Sequence, residues 1–129
     1  MLRMDIPYIH IIFAMGDVMK VAVIGSRGII IDNLQDYLPE GTTEIVSGGA
    51  KGVDTCAREF ALANGITLTE FKPEYNRYGR GAPLKRNITI IEYADMVLAF
   101  WDGKSKGTKF VIDACGERGI PVTVHLTEG

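Results

Sequence analysis

Lys20-Val-Ala-Val-Ile-Gly-Ser-Arg-Gly28 decides the fold. Its apolar run has no polar alternate, which predicts a strand buried on both faces, as in a parallel sheet covered by helices on each side. Downstream, Ile30, Leu34, Tyr37 and Leu38 recur at helical spacing before Pro39 and Gly41, predicting a first helix. Thr43 to Val46 reads as a second strand, and Val53, Ala57, Phe60 and Ala61 as a second helix ended by Asn64-Gly65. Ile66 to Phe71 is a third strand, and Leu84, Ile88 and Ile91 mark a third helix. Met96 to Phe100 is a fourth strand. A helix from about Lys106 to Glu117 stops at Gly119, and Pro121 opens a fifth strand to Leu126. Alternation with crossovers of this length means parallel strands and right-handed connections. The fold class expected is α/β, a Rossmann-like doubly wound sheet of five strands and four helices. The one long break, Lys72 to Pro83, reads as a functional or mobile loop.

The chain has 129 residues, enough for one domain with a true core at 47% hydrophobic and 23% charged residues. Its two cysteines, Cys56 and Cys115, exclude a disulfide scaffold and read as small apolar fillers. The two histidines, His10 and His125, give no basis for a metal site. A net charge of −2 and a pI near 5.6 argue against a nucleic-acid partner held by bulk charge. Residues 1–18 hold an apolar run, Ile9 to Met15, that imitates a secretion signal but falls short of the ~20 residues of a membrane span. They are taken as an N-terminal extension to a domain of residues 19–129, and the protein as cytoplasmic with no membrane partner.

Ligands of open parallel sheets bind beyond the carboxyl ends of the strands. Three glycine-rich turns leave those ends, each expected to lead into a helix. They are Gly25-Ser26-Arg27-Gly28, Ser47-Gly48-Gly49-Ala50-Lys51-Gly52, and Trp101-Asp102-Gly103-Lys104-Ser105-Lys106-Gly107-Thr108. Glycine lets backbone N–H groups approach an oxygen closely, and a helix N-terminus adds unpaired donors and partial positive charge. Phosphate is the natural guest. Neither the dinucleotide fingerprint nor the P-loop is present in a proper strand–helix context. Between Lys72 and Lys109 the local charge is +4, against −6 for the remainder, which suits a small anion better than a duplex.

Asp54 opens the second helix, where it can accept a ribose hydroxyl, hold a catalytic water or complement the helix dipole. Asp102 can hold a hydroxyl or shape its turn. Trp101 can stack on a base or fill the sheet edge, and Tyr75 and Tyr78 can close over a base or pack the long break. Arg86-Asn87 starts the third helix, with Arg86 able to clamp a phosphate bidentately. Arg80 joins the ligand-binding candidates. Ser26 and Ser47 lack a His/Asp partner, so no hydrolytic triad is indicated.

Val21-Ala-Val-Ile-Gly-Ser-Arg27, Val46-Ser-Gly-Gly-Ala-Lys-Gly-Val-Asp54, Tyr78-Gly-Arg-Gly-Ala82, Arg86-Asn87 and Ala99-Phe-Trp-Asp-Gly-Lys-Ser-Lys-Gly-Thr108 resemble the SLOG superfamily, in particular its small stand-alone YspA/YpsA-like members. The resemblance implies sheet order 3-2-1-4-5 and a pocket for a nucleotide-derived ligand; it names no further cofactor, and because relatives often pair a homodimer is an expectation. Its LOG-type relatives cleave nucleoside monophosphates with a glutamate in P-G-G-x-G-T-x-x-E. Here Gly107-Thr108 matches, Val111 stands at the glutamate position, and Asp113 falls about 200° around the helix from it. The expected function is therefore a sensor or carrier of a nucleotide-derived ligand. The alternative is an N-glycosidic hydrolase using Asp54 or Asp102 with Arg86. A DprA-like single-strand binder fits the charge and length least well.

Overall fold

The computed structural model describes residues 18–127. The extension expected over residues 1–18 lies, apart from Val18, outside them. Five strands, β1 (Lys20–Gly25), β2 (Glu44–Ser47), β3 (Thr67–Glu70), β4 (Met96–Trp101) and β5 (Val122–Leu126), form one sheet. All pairings are parallel, in the order β3-β2-β1-β4-β5. The helices are α1 (Val53–Ala63), the single turn α2 (Tyr75–Tyr78), α3 (Ala82–Tyr93) and α4 (Lys106–Arg118).

Alternation along the central strands divides the core. Val21, Val23, Ile45, Leu98 and Phe100 face α1, burying Val53, Ala57 and Ala61. Ala22, Ile24, Val46, Val97 and Ala99 face α3 and α4, burying Ile90, Ile91, Val111, Ala114 and Cys115. Two-sided burial explains why β1 and β4 carry no polar alternates. Cys115 is an apolar filler as expected. Cys56 is half-buried, and its Sγ accepts the Ile31 N–H at 3.3 Å.

Two expected elements come out differently. The first crossover contains no α-helix, only a 3-10 turn at Leu34–Asp36. Ile29 and Ile31 are buried while Ile30 is 74% exposed, which is the alternation of extended chain. Three consecutive β-branched residues favour extended chain over Ile29–Ile31, and Asn33 then caps only the short 3-10 turn, whatever the spacing of Ile30, Leu34 and Leu38. The long break is also not a loop. Lys72–Pro83 holds α2 and a 3-10 turn at Gly79–Gly81, which runs into α3 two residues before Leu84.

Candidate functional site

The tips of β1, β2 and β4 and the first turns of α3 and α4 enclose an open cleft of about 470 Å³. It lies on the α3/α4 side of the sheet. It includes the point between β1 and β4 where strand order reverses, the usual ligand position in this architecture. The buried polar side chains of the described residues are Ser26, Ser47, Asp54 and Thr108. Ser26, Asp54 and Thr108 line the cleft. Buried polar groups normally have partners, so their concentration here marks a surface built for something other than packing.

On the β1/β4 side, Ser26 Oγ accepts the Asp102 N–H at 3.3 Å, and the Ser26 N–H donates to the Phe100 carbonyl at 3.0 Å. Asp102 folds the turn before α4. Its Oδ1 accepts the Lys104 and Ser105 N–H groups at 2.8 and 2.7 Å, and its Oδ2 the Ser105 hydroxyl at 3.0 Å. These donors hold the carboxyl at about pKa 2. Beyond the turn, Lys106, Gly107 and Thr108 begin α4 against the cleft, with the Thr108 hydroxyl buried and unpartnered among the described residues.

On the β2 side, Asp54 lies in the first turn of α1 and is 8% exposed. It accepts the Ala50 N–H at 3.0 Å. Burial raises its pKa; the Ala50 N–H and the nearby Arg86 charge oppose that rise, and Glu70 adds to it. Arg86 makes no ion pair with Asp54. Its Nη1 donates to the Gly48 and Phe71 carbonyls at 2.8 and 3.3 Å, and its Nε to Asn87 Oδ1 at 2.7 Å. Burial pulls the guanidinium pKa down, with Asp54 opposing. Arg86 thus ties α3 to the ends of β2 and β3.

A raised acid pKa means that ionised Asp54 weighs against the folded state. The penalty is absent below the unfolded value of 3.8 and complete above the folded one. Asp54→Asn is therefore expected to melt higher than the wild type at pH 7 and to lose that advantage as the pH falls toward the unfolded value. Thermal midpoints across this range check it, and a lower midpoint for the variant at neutral pH would contradict it.

The cleft gathers Gly25, Ser26, Arg27, Gly48, Ala50, Asp54, Arg86, Asn87, Asp102, Ser105, Lys106, Gly107 and Thr108 from the expected set. The others stand off its wall. Ser47 Oγ accepts the Gly49 N–H from beneath, and Gly49 faces Glu70 and Lys72. Lys51 and Arg80 are exposed. Gly52 packs on the Arg27 carbonyl, and Gly103 makes its turn beside Leu126. The Trp101 indole N–H donates to the Ser105 carbonyl at 3.0 Å, so the ring braces the turn. Tyr75 is 59% exposed, and Tyr78 lies under the Lys85 ammonium in an adjoining hollow. The turn after β1 opens no α-helix, so α1, α3 and α4 supply the helix N-termini instead. Sequence reasoning missed the apolar wall of Ile24, Pro83, Leu84, Ile90 and Val111. The helical spacing of Leu84 and Ile88 marked α3 but not which part of it meets the cleft.

The chain resembles known proteins at two scales. The YspA, cpYpsA-related SLOG family matches residues 16–78, from the entry to β1 through α2. The Gene 61 protein of Mycobacterium phage D29 is 34% identical over 120 residues, spanning 80% of this chain and 93% of that one. The chain belongs to the YspA, cpYpsA-related SLOG family. No solved structure matches it. Membership places this SLOG protein among proteins of nucleotide-related function. The matched segment holds the turns after β1 and β2, including Asp54, and stops before Arg86 and the start of α4. Val111 lines the cleft where LOG-type relatives are expected to carry their glutamate, and Asp113 points to solvent, paired with Lys109 at 2.7 Å. Among the described residues no cluster of three His, Cys, Asp or Glu could hold a metal ion, and no helix is long and apolar enough to cross a membrane.

Proposed function

We propose that this cleft binds the phosphate of a nucleotide-derived ligand and that the domain acts as a sensor or carrier. One observation carries the reading: the buried Ser26 and Thr108 hydroxyls and the first turn of α4 converge on the point where strand order reverses. Oriented hydroxyls, free N–H groups at a helix start and the Arg27 and Lys106 charges form an anion site that needs no metal. The apolar wall of Pro83, Leu84, Ile90 and Val111 offers a surface for a base. The test is a melting series with inorganic phosphate, AMP, ADP-ribose and NAD. A ligand at a hundred times its Kd adds about 2.7 kcal/mol, a rise of roughly 8 °C for a domain of this size. Unmoved midpoints across the series would refute the reading.

A second reading, cleavage of an N-glycosidic bond, has one observation in its favour. Asp54 is a buried carboxyl of raised pKa on the cleft wall, the kind of group that serves as a general acid or base. Asp102 suits that role less well, because its oxygens are committed to the turn and it stays ionised. Release of free base from AMP by the wild type and not by Asp54→Asn would favour hydrolysis. Tight binding without release favours the sensor.

A further inference from the structure

We infer that the free edge of β5 is a self-association surface: two copies of the chain pair their β5 strands antiparallel about a two-fold axis, extending one sheet across both.

β5 is an edge strand, hydrogen-bonded to β4 alone among the described residues. Exposed edges carry unpaired N–H and C=O groups, and proteins guard them with charge, proline, bulges or short length. The opposite edge is guarded in this way. β3 is four residues long and ends at Glu70, whose carboxylate accepts Arg58 Nε and Nη2 at 3.1 and 2.8 Å. β5 has none of these devices. Val122-Thr-Val-His-Leu126 holds no Asp, Glu, Lys, Arg or Pro. It pairs with β4 without a break, from Val97 opposite Val122 to Trp101 opposite Leu126.

The direction of the backbone fixes the register. The Pro121 carbonyl accepts the Val97 N–H at 2.9 Å, and the Thr127 N–H donates to the Trp101 carbonyl at 2.8 Å. Backbone groups alternate sides along a strand. Pro121, Thr123, His125 and Thr127 therefore bond toward β4, while Val122, Val124 and Leu126 turn their N–H and C=O groups outward. The side chains of this second set share one face. Val122 packs against the core of Val97, Ala99 and Val111, whereas Val124 is 41% and Leu126 74% exposed.

Two such edges fit each other with no like charges opposed. With the axis at Val124, that residue faces Val124 of the partner subunit, and Val122 faces Leu126 of the partner subunit. Both pairs are apolar and of the hydrogen-bonded kind, exchanging both N–H···O bonds. On the other face Thr123 meets His125 of the partner subunit. His125 is held in place by Phe100 and Tyr37, with ring centroids 5.3 and 4.7 Å away. The ends of the seam also differ in sign. Exposed Lys104 follows Gly103 in the turn beside Leu126. Exposed Glu117 precedes the start of β5, where Arg118 is taken by Glu92 at 3.7 Å. The antiparallel arrangement sets one end against the other. A second copy is thus the occupant that the strand itself selects, and the contact is isologous, closing at two subunits.

Sedimentation velocity on the full chain, from micromolar to millimolar, tests this. The wild type is expected to pass from monomer to dimer at tens of micromolar, a seam of this length being small. Val124→Lys and Val124→Glu each set like charges across the axis and are each expected to weaken dimerisation about a hundredfold. An equimolar mixture of the two opposes Lys to Glu and is expected to recover the dimer. Leu126→Lys, at a position more exposed still, is expected to weaken it about tenfold and keeps the test open if position 124 proves intolerant in melting curves. Leu62→Lys is the control. Leu62 is an exposed apolar residue of α1, which packs over β1, β2 and β3, and this variant is expected to dimerise as the wild type does. A wild type that stays monomeric at a millimolar overturns the inference. So does a dimer that survives the β5 substitutions, or one that Leu62→Lys disrupts. Loss of the dimer in both position-124 variants without recovery on mixing overturns the pairing about Val124.

Discussion

Gly107→Asp is expected to abolish phosphate binding, weakening it at least about a hundredfold, in a protein that folds as well as the wild type. Gly107 lies in the first turn of α4 and lines the cleft. A Cβ added there meets nothing within 4 Å, so the substitution creates no clash in the fold. An acid in the first turn of a helix complements its dipole, adding about 0.3–1 kcal/mol of stability. The same carboxylate, however, occupies the donors and the positive end intended for the ligand. Binding and stability should therefore move in opposite directions. Calorimetry with inorganic phosphate, beside thermal midpoints of the unliganded proteins, reads both. Undiminished affinity in the variant would place the anion elsewhere. Gly49 makes a poorer probe: it stands off the cleft wall, and its φ of +72° strains any side chain.

Gly52→Ala is expected to cost about 3 kcal/mol or more, lowering the melting temperature by roughly 10 °C. Gly52 precedes α1 at φ 74° and ψ −121°, a conformation suited to glycine alone. Its added Cβ would lie 2.3 Å from the Arg27 carbonyl oxygen and 2.7 Å from that carbonyl carbon. Backbone atoms cannot swing aside as a side chain can, so the β1 and β2 turns would have to separate. Gly65→Ala is the control. Gly65 also has a positive φ, +64°, but nothing lies within 4 Å of its added Cβ, so only about 1 kcal/mol of backbone strain is expected. Urea denaturation of the pair separates close approach from dihedral strain. Similar losses in both would show that the contact with Arg27 adds nothing.

Much of the architecture is legible along the chain because the decisive features are local. Val21 to Ile24 and Val97 to Ala99 are uninterrupted apolar runs, and each is followed by a turn that only small or polar residues can make. The glycine turns could be assigned to one edge because parallel strands put all their carboxyl ends on the same side. What escaped was set by contacts across the fold. Ile30, Leu34 and Leu38 have helical spacing, but Ile30 faces solvent while Ile29 and Ile31 join Leu34 in the core, with Cys56 receiving the Ile31 amide. Trp101 borders the glycine turn in sequence, yet its ring nitrogen binds the Ser105 carbonyl, a partner that exists only once Asp102 has folded the turn back. Arg86 could be chosen as a cation near the cleft, but that its guanidinium clamps two backbone carbonyls depends on the approach of α3 to β2 and β3.

The central position of β1 bears on how the chain is made. One edge of β1 is closed by β2, shortly downstream, but the other waits for β4, where Val21 pairs with Met96 and Gly25 with Phe100. The Lys20 amide likewise waits for Asp95, 75 residues later. A polypeptide leaving the ribosome therefore carries this apolar central strand with one side unzipped until most of the domain has been synthesised. Fragments that stop before Met96 would present that raw edge to one another and aggregate rather than fold.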